Sequence, residues 1–313
     1  MRGWWRDLTD LVLPAECGGC GRPRTVLCPE CRAALTGAAP CRVRPVPEPE
    51  GLSVVHAAAP YGDEVRAMLL AHKERGALAL AAPLGVALAG AVRAGLEPAV
   101  RPGQAGWPTA SQGSQGFRKG DVRGERERAD TVGAAVRTAG AGHGPVLLVP
   151  VLLVPVPSAR RVVRARGHDP TRRIALAAAG ELRRTGTPAR VLGALRQKRA
   201  VADQSGLNSR QRAVNLAGAL EVAPGGGRML AEGGRVVLVD DLMTTGASLA
   251  EAARAVRAAQ SGVRALRWTG ERTGRAVVYG RIPGREQAGG RSGATVCSAV
   301  IAAPPDAFEI NRN

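Results

Sequence analysis

Two adjacent carboxylates, Asp240 and Asp241, stand at the end of the apolar run Val236-Val237-Leu238-Val239 and lead directly into Leu242-Met243-Thr244-Thr245-Gly246-Ala247-Ser248. Four apolar, mostly β-branched residues predict a buried parallel strand. The alanine-rich stretch from about Leu249 to Ala259 predicts a helix. A strand, an acidic pair, a small hydroxylated turn and a helix start together suit a sugar phosphate. The first amides of the helix and the hydroxyls of Thr244, Thr245 and Ser248 can cradle the phosphate, helped by the positive end of the helix dipole. Asp240 and Asp241 can accept hydrogen bonds from vicinal ribose hydroxyls, or hold Mg²⁺ indirectly. Two neighbouring acids at the edge of a strand are costly without a partner.

A second segment matches the same ligand. Leu152-Leu153-Val154-Pro155-Val156 reads as a central strand and runs into Pro157-Ser158-Ala159-Arg160-Arg161, followed by Arg164, Arg166, Gly167, His168 and Asp169. A small-residue turn rich in arginine before a helix fits a diphosphate, which guanidinium forks neutralise well. The five residues before it, Leu147 to Val151, duplicate the strand, and Pro150 argues against a deep central place for that first copy. Between the two segments, the polar stretch from Asp203 to Asn215, with Gln204, Ser205, Gly206, Arg210 and Arg212, reads as a mobile lid.

The cysteines form a separate site. Cys17-Gly18-Gly19-Cys20 and Cys28-Pro29-Glu30-Cys31 are two Cys-x-x-Cys pairs with seven residues between them. Four soft thiolates on two tight turns are the tetrahedral set that zinc takes in structural sites, with no open position for catalysis. Disulfides would need an export signal, and none is read at the N-terminus. Cys41 is a spare thiol, and Cys297 lies in an apolar strand, Ala294 to Ala303, as a core residue.

The elements that must position these groups follow from pattern. Met1 to Pro14, with Trp4 and Trp5, reads as a short amphipathic helix packed on its own domain. Residues 32–51 read as a Pro- and Arg-rich linker. Leu52 to Ala59 is expected as a strand, Asp63 to His72 as a helix with Val65, Met68 and Leu69 inward, and Ala77 to Ala94 as a second apolar helix. Lys73-Glu74-Arg75-Gly76 is a basic, glycine-stopped turn between them. Residues 97–128 show no usable periodicity and read as a disordered insertion. Thr171 to Arg184 is expected as a helix, Ala189 to Leu195 and Leu216 to Val222 as strands, and Pro224 to Gly234 as a glycine-rich turn.

Forty-four basic against 26 acidic residues give a net charge of +18. Such a balance favours polyanionic partners. Lysine stands only at Lys73, Lys119 and Lys198, so the charge is nearly all arginine, and the abundance of Ala and Gly suggests a coding bias as much as selection. Aromatic residues make up 3%, which leaves little for base-stacking platforms. No stretch reads as a transmembrane span, so a cytoplasmic protein without membrane insertion is expected.

The strand with Asp240-Asp241 and Thr244-Thr245-Gly246 resembles the type I phosphoribosyltransferases, which bind phosphoribosyl pyrophosphate (PRPP) there. Taken in order, the cysteine knuckles, Lys73 to Gly76, Val154 to Pro157 with Arg164 to Asp169, Gln204 to Asn215 and the Asp-Asp-Thr-Thr-Gly segment are similar to the ComF family over most of residues 14–270. The tail from Ala302 to Asn313 is similar to actinobacterial members. The resemblance implies an α/β fold with a type I phosphoribosyltransferase-like parallel sheet flanked by helices and a small N-terminal zinc-knuckle module. Residues 1–50 would be the zinc module and linker, and 51–313 the phosphoribosyltransferase-like domain. It implies that Asp240 and Asp241 hold the ribose, Thr244, Thr245, Gly246, Ala247 and Ser248 the 5′-phosphate, and Pro157, Ser158, Ala159, Arg160 and Arg161 the pyrophosphate.

Three departures stand out. His168-Asp169-Pro170 replaces the family's aromatic-Asn-Gln, and the 97–128 and 270–293 segments are extra. The second of these interrupts the last strands and leaves their order open. The implied activity is Mg²⁺-dependent phosphoribosyl transfer to an unidentified acceptor, with no residue legible as its general base. The alternatives are a competence-type accessory protein that binds single-stranded DNA or competence machinery, and a regulator whose loop closes on PRPP. Homo-oligomerisation is compatible with each. No Walker-type loop is present, so a motor role is excluded.

Overall fold

The computed structural model describes residues 16–97, 149–199, 208–272 and 296–308. Trp4, Trp5, the 97–128 insertion beyond Glu97, the first residues of the duplicated strand, the Gln204-Ser205-Gly206 segment and all of 270–293 beyond Arg272 lie outside them.

Among the described residues, α1 (Pro29–Thr36), β1 (Cys41–Val43), β2 (Val55–Pro60), α2 (Asp63–Glu74) and α3 (Ala81–Leu96) come first. After them come β3 (Val151–Pro155), α4 (Arg160–Arg166), α5 (Pro170–Arg184), β4 (Ala189–Val191) and β5 (Leu195–Gln197). The chain ends with α6 (Ser209–Leu216), β6 (Leu220–Val222), α7 (Gly226–Glu232), β7 (Arg235–Leu242), α8 (Ala247–Arg272) and β8 (Cys297–Ala303). Six strands form one sheet in the order β1-β2-β8-β7-β3-β4, parallel except for β1, and β5 and β6 form an antiparallel ribbon.

The apolar runs are continuous because both faces of the sheet are covered. Val151, Leu153, Val237, Val239, Ala299 and Ile301 face α3 and α5, while Leu152, Val154, Val236, Leu238 and Val300 face α8. Neighbours in sequence thus feed opposite cores, as the period-2 pleat requires. The result is an α/β fold with a mostly parallel sheet between helical layers.

The order of crossovers matters for function. From β3 the chain crosses by α5 to β4 on one side; it then returns to β7 on the other side of β3 and crosses by α8, on the opposite face, to β8. Strand order therefore reverses between β3 and β7, and the carboxyl ends of those two strands open the crevice where doubly wound sheets bind ligands.

Several expectations shift. The second copy of the duplicated pentapeptide is the central strand, and Pro150 serves as its lead-in, its carbonyl accepting from Arg235 N at 3.0 Å. Residues 32–51 are not wholly a linker, because Cys41–Val43 pairs antiparallel with β2. The expected strand Ala189 to Leu195 splits into β4 and the start of β5, which belong to different sheets. The glycine-rich 224–234 stretch carries α7, whose Gly226 and Leu230 are buried; Gly226 serves close packing against Val222, while Gly225 and Gly234 take left-handed φ at its two ends. Pairing of β8 between β2 and β7 settles the last strand order that the 270–293 segment left open.

One helical stretch, Leu78–Leu96, is long and apolar enough to cross a membrane by length and composition, contrary to the sequence reading. It is apolar because it is a core helix. Leu84, Leu88, Ala91 and Val92 are buried, and α3 packs along α5 on one side and onto β2 and β8 on the other.

Candidate functional site

Asp240 and Asp241 stand just before the end of β7 beside β8, with Asp240 opposite Val300. On the other side, Val156 N donates to Val239 O at 2.9 Å, so the turn Pro157-Ser158-Ala159 leaves β3 next to the acidic pair. Both groups therefore stand at the crevice set by the topology. The turn from Thr244 to Gly246 follows, and α8 begins at Ala247 with Gly246 O accepting from Ala250 N at 2.9 Å. The first-turn amides of α8 have no intrahelical acceptor and face the turn. Gly246 has a left-handed φ of 73°. A Cβ there would sit 3.1 Å from Leu52 Cδ2 and 3.2 Å from Pro45 Cγ, so a tight contact adds to the backbone strain that favours glycine.

The two carboxyls differ in environment. Asp241 is buried and its Oδ2 accepts from Lys73 Nζ at 2.8 Å, while its backbone N–H donates to Asp240 Oδ1 at 2.9 Å. Burial, and then the charge of Asp241, push the Asp240 carboxyl well above the usual carboxylate range, against the opposing pull of Lys73. The Lys73 ammonium is raised as well, which for a base favours its charged form. Burial works to lower it, but the charge and hydrogen bond of Asp241 prevail and hold it above its ordinary value.

The basic side of the crevice differs from expectation. Arg160 and Arg161 are not in an extended loop but open α4, where Arg161 is exposed. Helix α4 forms because Val162 N and Val163 N both donate to Ala159 O, and it stops at Gly167 with φ 73°. Its last residue, Arg166, grips Glu74 through Nε and Oε2 at 3.2 Å. Asp169 accepts from Arg172 N at 3.0 Å and so caps α5, a structural use of the position where the sequence departs from its resemblance.

Of the lid residues, Arg210 and Arg212 lie on α6 and not on a loop. That helix is started by a capping box in which Asn208 and Gln211 exchange hydrogen bonds. Arg212 Nη1 donates to Thr244 Oγ1 at 3.2 Å, which brings α6 to the hydroxylated turn. In the sequence Lys73 to Gly76 reads as a helix-ending turn and as part of the family resemblance, but nothing there assigns Lys73 and Glu74 a contact with the acidic pair or the arginines. The available signal was that Lys73 is one of only three lysines in an arginine-dominated chain.

The four cysteines converge as their spacing demands. The Sγ atoms of Cys17, Cys20, Cys28 and Cys31 all lie within 4.8 Å of one another, and Cys20 and Cys28 are 3.6 Å apart. Tetrahedral thiolates on zinc stand about 3.8 Å apart, so the set can hold such a metal. Cys28 N donates to Cys17 Sγ and Cys31 N to Cys28 Sγ, each at 3.4 Å. At Cys17 burial opposes ionisation, but amide donors from Cys20, Cys28 and Gly19 outweigh it and bring the thiol down to about 6. Burial and the neighbouring sulfurs push Cys31 the other way. A cation among them would relieve both burial and crowding. Cys41 is exposed and Cys297 is buried in β8, both away from the cluster.

The cysteine turns are tied to the main core. Leu27, Cys28, Cys31 and Leu35 share one buried cluster with Val65, Met68, Leu80 and Leu84. Gly18 presses on Leu80 so closely that a Cβ would lie 2.5 Å from Leu80 Cδ1. No protein-family model and no curated protein matches the chain.

Proposed function

We propose that the chain is a PRPP-binding, phosphoribosyltransferase-like protein of the ComF type, transferring the phosphoribosyl group to an unidentified acceptor. The observation that carries the reading is the meeting, at the strand-order reversal, of the β7 acidic pair and the β3 turn of small residues. In this reading the carboxyl oxygens of Asp240 and Asp241 hold the ribose hydroxyls. The turn Thr244-Thr245-Gly246-Ala247-Ser248 takes the 5′-phosphate on amides and hydroxyls. The pyrophosphate lies against Pro157-Ser158-Ala159 at the start of α4, with Arg160 and Arg161 nearby. Transfer breaks the bond from C1 to the pyrophosphate oxygen through an oxocarbenium-like state, and the acceptor's lone pair forms the new bond to C1. Mg²⁺ bound to PRPP would add charge neutralisation of the leaving group. The four cysteines would hold a structural zinc ion.

The test is calorimetric titration of PRPP with Mg²⁺ into the zinc-loaded protein and its Asp241→Asn variant. Saturable binding by the wild type, lost in the variant, supports the reading. Absence of wild-type binding overturns it.

A second reading, an accessory role in DNA handling, is favoured by the +18 charge and by exposed arginines such as Arg161, Arg164 and Arg172 near the same end of the fold. It requires DNA affinity that falls steeply with salt and survives Asp241→Asn.

A further inference from the structure

We propose that Lys73 is a positioning residue for the ribose half of this site, and that its neighbour Glu74 does the same for the pyrophosphate half through Arg166. The inference rests on the PRPP reading above and assigns to α2 a role in it.

The two residues are consecutive at the end of α2, and between them they reach both β7 and the helix that follows the β3 turn. Lys73 Nζ lies 2.8 Å from Asp241 Oδ2 at the end of β7. Glu74 holds Arg166, the last residue of the helix that leaves the Pro157-Ala159 turn. The helix that presents them is firmly seated. Val65, Met68, Leu69, Ala71 and His72 are buried, and His72 packs edge-on against His168 with ring centroids 5.9 Å apart. Gly76, at φ 68°, then ends the turn. The last turn of α2 is thus a rigid bracket across the mouth of the site.

The hydrogen bonds show what the bracket does. Asp241 gives one carboxyl oxygen to Lys73, and Asp240 gives one to the backbone N–H of Asp241. These bonds engage one oxygen of each carboxyl, and the two carboxyls also lie within hydrogen-bonding reach of each other. Two such carboxyls on adjacent residues, each held by an internal bond, match the two hydroxyls of a vicinal diol. Lys73 is also the described side chain that supplies positive charge to this pair. Its side chain is 35% exposed and that of Asp241 is 8% exposed, so the contact is only partly screened. Without it, Asp241 would be free to rotate and the pair would carry uncompensated negative charge towards a polyanionic ligand.

The experiment uses three probes, PRPP with Mg²⁺, ribose 5-phosphate and pyrophosphate, titrated into the wild type, Lys73→Gln, Lys73→Arg and Glu74→Gln. Lys73→Gln should weaken PRPP and ribose 5-phosphate by about tenfold or more and leave pyrophosphate nearly unchanged. Lys73→Arg, which keeps the charge and a donor, should restore most of the loss. Glu74→Gln should reverse the pattern and weaken pyrophosphate. A purely structural role would lower all three affinities together, without rescue by arginine, and would overturn the proposal. So would wild-type or tighter binding of ribose 5-phosphate by Lys73→Gln, the second of which would mark Lys73 as a plug. Failure of the wild type to bind any probe overturns the PRPP reading itself, which separates the two failures. Melting curves accompany each variant, and Lys73→Met replaces Lys73→Gln should the latter not fold.

Discussion

Glu251, in the second turn of α8, accepts the backbone N–H of Leu220 in β6 at 3.0 Å, so the helix that starts at the Thr-Thr-Gly turn also anchors the β5–β6 ribbon. Arg254 completes the junction, donating from Nε to Glu251 Oε2 at 2.7 Å and from Nη2 to Leu220 O at 2.9 Å. Burial acts to raise the Glu251 carboxyl, but the hydrogen bonds of Arg254 and Leu220 outweigh it and hold it below its ordinary value. Its folded pKa is therefore depressed, and its stabilisation is present above the unfolded value of about 4.5 and is lost as pH falls below that. Glu251→Gln should cost about 1–3 kcal/mol at neutral pH. Melting temperatures taken from neutral to acidic pH should converge for wild type and variant as the carboxyl protonates. A gap that stays constant with pH would refute the assignment.

Gly85 in α3 faces Ala177 in α5, and a Cβ at Gly85 would sit 2.5 Å from Ala177 Cβ and 2.9 Å from its backbone carbonyl carbon. Backbone cannot yield as a side-chain tip can, so the two helices must separate. Overpacking of this kind costs about 1–3 kcal/mol. Gly85→Ala should therefore lower the melting temperature measurably, although alanine is intrinsically the better helix former. An unchanged or raised melting temperature would mean that the helices have room to part.

The strands that build the crevice were legible because burial on both faces leaves unbroken apolar runs, as in Val236 to Val239 and Leu152 to Val154. The cysteine set was legible from spacing alone, since two Cys-x-x-Cys turns allow few geometries. Lys73 and Asp241 were not legible as a pair, being 168 positions apart, and only the sheet order brings them together. Arg160 to Arg166 read as loop because a short helix capped by a backbone carbonyl carries no capping side chain to betray it. Pro224 to Gly234 misled for the opposite reason, as the packing glycine Gly226 looks the same in sequence as the turn glycines Gly225 and Gly234 that flank the helix.

Metal content separates the six cysteines. The protein purified with zinc should hold one ion per chain by elemental analysis, and Cys28→Ser or Cys31→Ser should lose it. Cys41→Ser and Cys297→Ser should retain it, as neither thiol joins the cluster. Removing the metal should also lower the melting temperature, because Leu27, Cys28, Cys31 and Leu35 share a core with α2 and α3. Full zinc content in Cys28→Ser would show that the ion sits elsewhere.

Gly246→Ala tests the phosphate turn apart from the carboxylates. A left-handed φ of 73° costs a non-glycine residue about 1–2 kcal/mol. The added methyl must also displace Leu52 or Pro45, each of which a Cβ would approach within 3.2 Å. The backbone is thereby driven to move the amides of Ala247 and Ser248, which in the proposed function hold the 5′-phosphate. Two readouts follow, a lower melting temperature and weaker ribose 5-phosphate binding, whereas pyrophosphate affinity should be untouched. Loss of stability with unchanged ribose 5-phosphate affinity would place the phosphate away from this turn, since an anion held on these amides responds to their displacement.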